Sequence, residues 1–226
     1  MSLLLNSTLN DIRKLINVNH LNYPIKLDLN FLKDNNICFD ERRCDSDLIS
    51  PGVFYDLVVI LTMNSIGSYI TSENFFKDSS TNRTIVSILT IPSSIINMVG
   101  TNSDHYIKLL LLHQFTHILG FESNSFQYFP GGLKDTIKTQ VDSRGVNRTY
   151  IITPKVVQLA KKYYNCDNII GLELEDQEED HISSHWEARI LLGEYMNSII
   201  YNPEAAISEF TLALLEDSGW YTVNYY

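Results

Sequence analysis

Four consecutive leucines, Leu109 to Leu112, sit in a stretch from His105 to Leu119 that carries three imidazoles and a single lysine. Ser103 or Asp104 offers a helix cap in front of it, and Gly120 a stop behind. A helix this apolar must be buried on most of its sides. The rest of the chain therefore has to supply layers that wrap it.

Candidates for those layers follow from local pattern. Ser7 to Asn17 reads as a short helix, with Ile12, Leu15 and Ile16 on one face. Val53 to Met63 and Thr84 to Ile91 are rich in β-branched residues and read as strands, the second ended by Pro92. Glu122 to Asn147 reads as loop, with Pro130-Gly131-Gly132 and Ser143-Arg144-Gly145. Thr153 and Pro154 open a helix over Lys155 to Tyr164, and Ser208 caps another over Glu209 to Asp217. The acidic run Glu173 to Asp180 reads as a solvated loop. The expected class is α+β: a mixed-sheet amino-terminal part (1–121) ending in the apolar helix, and a mostly helical carboxy-terminal part (122–226). A length of 226 residues suits one domain split by a cleft.

A net charge of −10 argues against nucleic acid and anionic membrane surfaces as partners. No apolar run reaches the roughly 18 residues of a transmembrane helix. The first residues lack the basic region and long apolar core of a signal peptide. Cys38, Cys44 and Cys166 leave at least one thiol unpaired within the chain; Cys38 and Cys44 could close a small loop. Sequons at Asn6, Asn82 and Asn147 weigh little in so asparagine-rich a chain.

His113 and His117 stand at i and i+4 and project from one helix face, so both can reach one metal ion. Zinc accepts neutral imidazole nitrogen, and a catalytic zinc takes three protein ligands and keeps one position open. A third histidine six residues after His117 would complete the local protease pattern, but that slot is Ser123. His185 is the better candidate. His181 is its rival and could instead pair with it at i, i+4, while His20 and His105 read as surface or core histidines.

The segment Leu112-His113-Gln114-Phe115-Thr116-His117-Ile118-Leu119-Gly120-Phe121 resembles the H-E-x-x-H-x-L-G-F signature of the leishmanolysin family. Leu172-Glu173-Leu174-Glu175-Asp176-Gln177, followed by Ser184-His185-Trp186-Glu187 and Arg189, is similar to that family's second block. Glu194-Tyr195-Met196 resembles its Met-turn, Ser208 to Tyr221 the stretch after it, and Cys166 falls where the family has a cysteine. The resemblance covers Ser103 to Tyr226 and is loose over the first hundred residues. It implies a single metallopeptidase domain of metzincin-like fold over 1–226, hydrolysing peptide bonds in peptide or protein substrates. It further implies one zinc per chain on His113, His117 and His185, with Met196 beneath the metal, and a secreted or surface-anchored protein. Two features depart from the pattern. The family's glycine-rich link is here Glu178-Glu179-Asp180-His181-Ile182, and most of its cysteines are missing.

A third departure touches the chemistry. The general base expected beside the first histidine is a glutamate, and this chain has Gln114. An amide has nearly the same shape but cannot accept a proton. Gln114 is either a natural change, making a non-catalytic peptide-binding or adhesion module, or an introduced one that silences an active enzyme. Since His113, His117, His185 and Met196 are all retained, the expectation is a zinc endopeptidase domain that Gln114 holds nearly inactive.

Overall fold

The computed structural model describes residues 1–35, 37, 46–175, 182–200 and 205–225. Two short segments that the sequence singles out lie outside the described residues: the Cys38–Cys44 loop, and Asp176 to His181, which holds the end of the acidic run and part of the second motif block. Cys166 is an exposed free thiol.

Helix α1 (Ser2–Leu15) leads into strand β1 (Ile16–Val18), which pairs antiparallel with β8 (Tyr221–Val223). The helix starts earlier than its local pattern predicts because Leu4, Leu5 and Leu9 also pack inward. Two short helices, α2 (Leu29–Asp34) and α3 (Ser46–Ile49), precede a three-stranded sheet. In it β4 (Thr84–Pro92) lies between β2 (Val58–Asn64), to which it runs parallel, and β3 (Thr71–Lys77), to which it runs antiparallel. β4 is buried along almost its whole length. After the short helix α4 (Ser93–Ile96) comes α5 (Asp104–Leu119), the leucine-rich helix.

The burial of α5 explains its composition. Ile107, Leu111, Phe115 and Ile118 recur at helical spacing and pack with Leu89 and Ile91 of the sheet. Leu109 and Leu112, on another face, join a second core with Phe121, Trp186, Met196 and Phe210. One helix thus serves two cores. The imidazoles of His113 and His117 bond to Tyr195 and Phe121 of the second core, and α1 covers part of the remaining surface, where Lys108 pairs with Asp11 at 2.5 Å.

The carboxy-terminal part is not mostly helical. The stretch read as loop contains a 3₁₀ turn (Ser123–Tyr128), a short helix α6 (Leu133–Thr136) and strand β5 (Ile137–Val141). β5 pairs with β6 (Asn147–Ile151), and β6 with β7 (Leu172–Glu173), in a second antiparallel sheet. β5 is largely exposed, so it lacks the alternation that marks a half-buried strand. Helices α7 (Pro154–Tyr164) and α8 (Glu209–Asp217) complete this part. Thr153 does not cap α7 with its side chain; Asp217, at the end of α8, accepts from the amides of Lys155 and Val156 at 2.9 and 3.2 Å. The acidic run also departs from its solvated reading at its first residue. Glu173 is buried in β7, 2.7 Å from Arg189 and 3.4 Å from Arg148. Among the described residues no helix is long and apolar enough to cross a membrane.

Candidate metal centre

Three side chains converge where α5 meets the second core. His113 Nε2 lies 2.9 Å from His117 Nε2 and 3.2 Å from His185 Nε2. The first two come from adjacent turns of α5. His185 arrives on an extended segment beside β7, where Leu174 bridges Trp186 and Glu175 N–H donates to the His185 carbonyl at 3.0 Å. The two sequence blocks that hold Leu172 and His185 are thus paired across the fold. Ser184, next to His185, accepts from the Ser123 amide at 2.9 Å, so the position at which a local third ligand would stand abuts the segment that brings in the distant histidine. His20 and His105 are exposed and do not belong to this cluster; His20 instead pairs with Asp56 at 2.7 Å.

The opposite ring nitrogens fix the tautomers. His113 Nδ1–H donates to the Tyr195 carbonyl at 2.8 Å, and His117 Nδ1–H to the Phe121 carbonyl at 2.7 Å. Each hydrogen bond leaves an unprotonated Nε2 facing the cluster. Gly120 makes the second bond possible. It adopts φ +132, and a Cβ there would lie 2.7 Å from Trp220, so only glycine lets the chain turn and aim the Phe121 carbonyl back at His117.

Burial keeps these rings neutral. It pulls His113 down to about 4 and His185 to about 3, with the neighbouring imidazoles adding to the effect, and it lowers His117 as well. Neutral nitrogen lone pairs crowded together repel unless a cation lies among them. His185 Nδ1 is also buried with no hydrogen-bond partner among the described residues, so hydrogen bonding does not account for that ring's burial. The three nitrogens fit a single metal ion: His113, His117 and His185 are the group among the described residues whose ligand atoms are close enough together to hold one.

The turn carrying Met196 is tied to the helix that bears the first two histidines. Tyr195 gives its carbonyl to His113, and Met196, fully buried, accepts from the Trp186 amide at 3.0 Å. The Tyr195 hydroxyl bonds Thr116 at 2.6 Å, pinning the turn to α5 a second time. Met196 therefore has neighbours bonded to His113 on one side and next to His185 on the other. Gln114 faces the sheet, where Ser72 Oγ of β3 donates to its Oε1 at 2.8 Å. Sequence reasoning missed Ser72, for which nothing local signals a role, and the two carbonyl acceptors, of which Gly120-Phe121 was the only visible hint.

The model of the family described as leishmanolysin (Peptidase_M8) matches residues 2–226. The chain belongs to the leishmanolysin family. The match extends over the first hundred residues, where the motifs are silent. The leishmanolysin-like peptidase of Drosophila pseudoobscura pseudoobscura is 46% identical over 76 residues, 33% of this chain and 11% of the fly protein. The ciliated left-right organizer metallopeptidase of Danio rerio is 33% identical over 130 residues, 54% of this chain and 20% of that protein. Its human namesake is 34% identical over 131 residues, 53% of this chain and 16% of that protein. This leishmanolysin-family chain thus corresponds to a minor part of the length of the curated relatives it matches. The family is one of metallopeptidases, which agrees with a histidine cluster able to hold a metal.

Proposed function

We propose that this chain is the core of a zinc-dependent endopeptidase, with His113, His117 and His185 as ligands and peptide or protein as substrate. The observation that carries the reading is the convergence of three neutral Nε2 atoms, two of them oriented by backbone carbonyls. Zinc suits three imidazole nitrogens with one position left open, and when bound there it lowers the pKa of water and polarises a carbonyl. The residues of the chain do the rest. His113 and His117 are held in the tautomer that presents Nε2. Met196 forms an apolar floor rather than a ligand, since a thioether is soft and the nitrogens suffice. The side chain at position 114 stands one residue past the first ligand, where a carboxylate would take a proton from water and deliver it to the departing amine.

Gln114 can hydrogen-bond but cannot carry that proton. It therefore lowers turnover while leaving metal and substrate binding intact. A second reading draws on the same residue: an amide at this place fits a non-catalytic peptide-binding or adhesion module on the same scaffold. Gln114→Glu separates the two. Restoring the carboxylate should raise cleavage of an unfolded protein by at least about a hundredfold, and chelation should erase the gain. A folded, zinc-bound Gln114→Glu that cleaves nothing across a broad peptide library would leave the binding module as the better account. The family resemblance also leads us to expect a protein that works outside the cell or on its surface.

A further inference from the structure

Glu194 is a buried carboxylate that touches none of the three histidines. Its Oε1 accepts from Thr211 Oγ at 2.6 Å, Ser208 Oγ at 3.0 Å and the Ser208 amide at 3.3 Å. Its Oε2 accepts from the Met196 amide. Among the described residues no cation pairs with it. Burial pushes its carboxyl up to about 7, against the pull of the hydrogen bonds from Thr211, Met196 and Ser208. Placing such a group in a core is costly, and apolar residues would pack this junction at less cost. What a carboxylate gives that they cannot is direction, because every group around it must donate.

That direction is passed on. The Thr211 hydroxyl spends its hydrogen on Glu194, which leaves its lone pair to accept from Trp186 Nε1 at 2.9 Å. The Trp186 amide donates to the Met196 carbonyl at 3.0 Å, and the Trp186 carbonyl accepts from Asn197 Nδ2 at 3.1 Å. All three polar groups of Trp186 are thus tied to the turn or to the helix that Glu194 joins. Trp186 directly follows His185, whose own Nδ1 has no partner among the described residues to orient it. His113 and His117 each have a carbonyl for that purpose; His185 does not.

We propose that Glu194 is the positioning residue of His185, acting through Thr211 and the Met196 amide on both edges of Trp186. The inference rests on reading the three histidines as a metal site. Glu194→Gln is the direct probe. Its amide NH₂ must face either the Met196 N–H or the donors from Ser208 and Thr211, so one contact becomes donor against donor. Zinc affinity, measured on the whole chain by competition with a chelator, should fall about 10- to 100-fold, the usual range for a residue that orients a ligand. Metal-free melting, followed in parallel, separates positioning from bulk support. A variant that melts lower without zinc but binds zinc as tightly as the parent overturns the proposal. Should Glu194→Gln not fold, Thr211→Val keeps the Met196 and Ser208 contacts and removes the relay to the indole. It should weaken zinc binding about tenfold, and Thr211→Ser should restore it; unchanged affinity in Thr211→Val overturns the proposal equally. A parent chain that binds no zinc at all removes the metal reading, and this inference with it.

Discussion

The hydroxyl of Ser72, on the edge strand β3, donates a 2.8 Å hydrogen bond to Gln114 Oε1 on α5. A hydroxyl that donates to an amide oxygen will donate as readily to a carboxylate oxygen, and more strongly, because the acceptor is then charged. In the Gln114→Glu background Ser72 should therefore favour the ionised base. Removing it as Ser72→Ala should raise the pKa of the glutamate. The acid limb of the pH–rate profile should move up by about one pH unit, with zinc content unchanged. A limb that stays in place would show that the Ser72 contact belongs to the glutamine alone.

The ligand assignment is tested by metal content. The parent chain should purify with about one equivalent of zinc. His185→Ala should lose most of it, because two imidazoles on one helix face leave the ion under-coordinated. His181 lies outside the described residues, and His181→Ala should bind zinc as the parent does. If His181→Ala empties the site and His185→Ala does not, the third ligand has been misassigned.

Without metal, the same histidines make stability depend on pH. Burial holds His113 near 4 and His185 near 3, and lowers His117, against about 6.5 in an unfolded chain. The unfolded chain therefore takes up protons that the fold refuses. Stability from these groups is complete above pH 6.5 and is lost as pH falls below it, down towards pH 4 and 3. Each proton contributes a slope of up to about 1.4 kcal/mol per pH unit. Urea unfolding in the presence of chelator should follow this between pH 7.5 and 5, and His185→Ala should flatten the slope by about one proton. An unchanged slope in that variant would mean that His185 is not buried as a neutral ring.

Much of this was legible in the sequence where structure is set locally. Ser208 accepts from the Thr211 amide and α8 spans Glu209–Asp217, as its capping pattern predicts. α5 has its expected end at Gly120 because a glycine stop and an apolar run are both short-range signals. The failures share a cause: partners distant in the chain. β3 and β5 form because neighbouring strands accept them, not because their own residues alternate. In the sequence Glu173 groups with its acidic neighbours, whereas in the fold Arg148 and Arg189 pair with it where it is buried. The cap of α7 comes from Asp217, far along the chain. Two of the histidines are visible because they share a helix; the third is a choice between His185 and His181 on spacing alone, and the resemblance favours His185. Their orienting carbonyls and Ser72 carry no side-chain signature at all.

Gly120 joins stability to the metal site, and its replacement should show both. Its φ of +132 is hostile to any Cβ, and the Cβ of an alanine would meet Trp220 Cζ3 at 2.7 Å. The indole cannot simply withdraw, since its Nε1 donates to the Thr81 carbonyl at 2.8 Å and the ring packs edge-on against Phe129. Gly120→Ala should destabilise the metal-free chain by about 2 kcal/mol or more, from backbone strain and overpacking together. Shrinking the neighbour in a Trp220→Leu, Gly120→Ala double variant should recover the packing part but not the strain, so the two changes should be non-additive. Because the same turn aims the Phe121 carbonyl at His117, Gly120→Ala should also weaken zinc binding. Unfolding curves taken with and without zinc distinguish the effects: if the zinc-induced stabilisation of Gly120→Ala equals that of the parent, the turn supports the fold but does not orient His117.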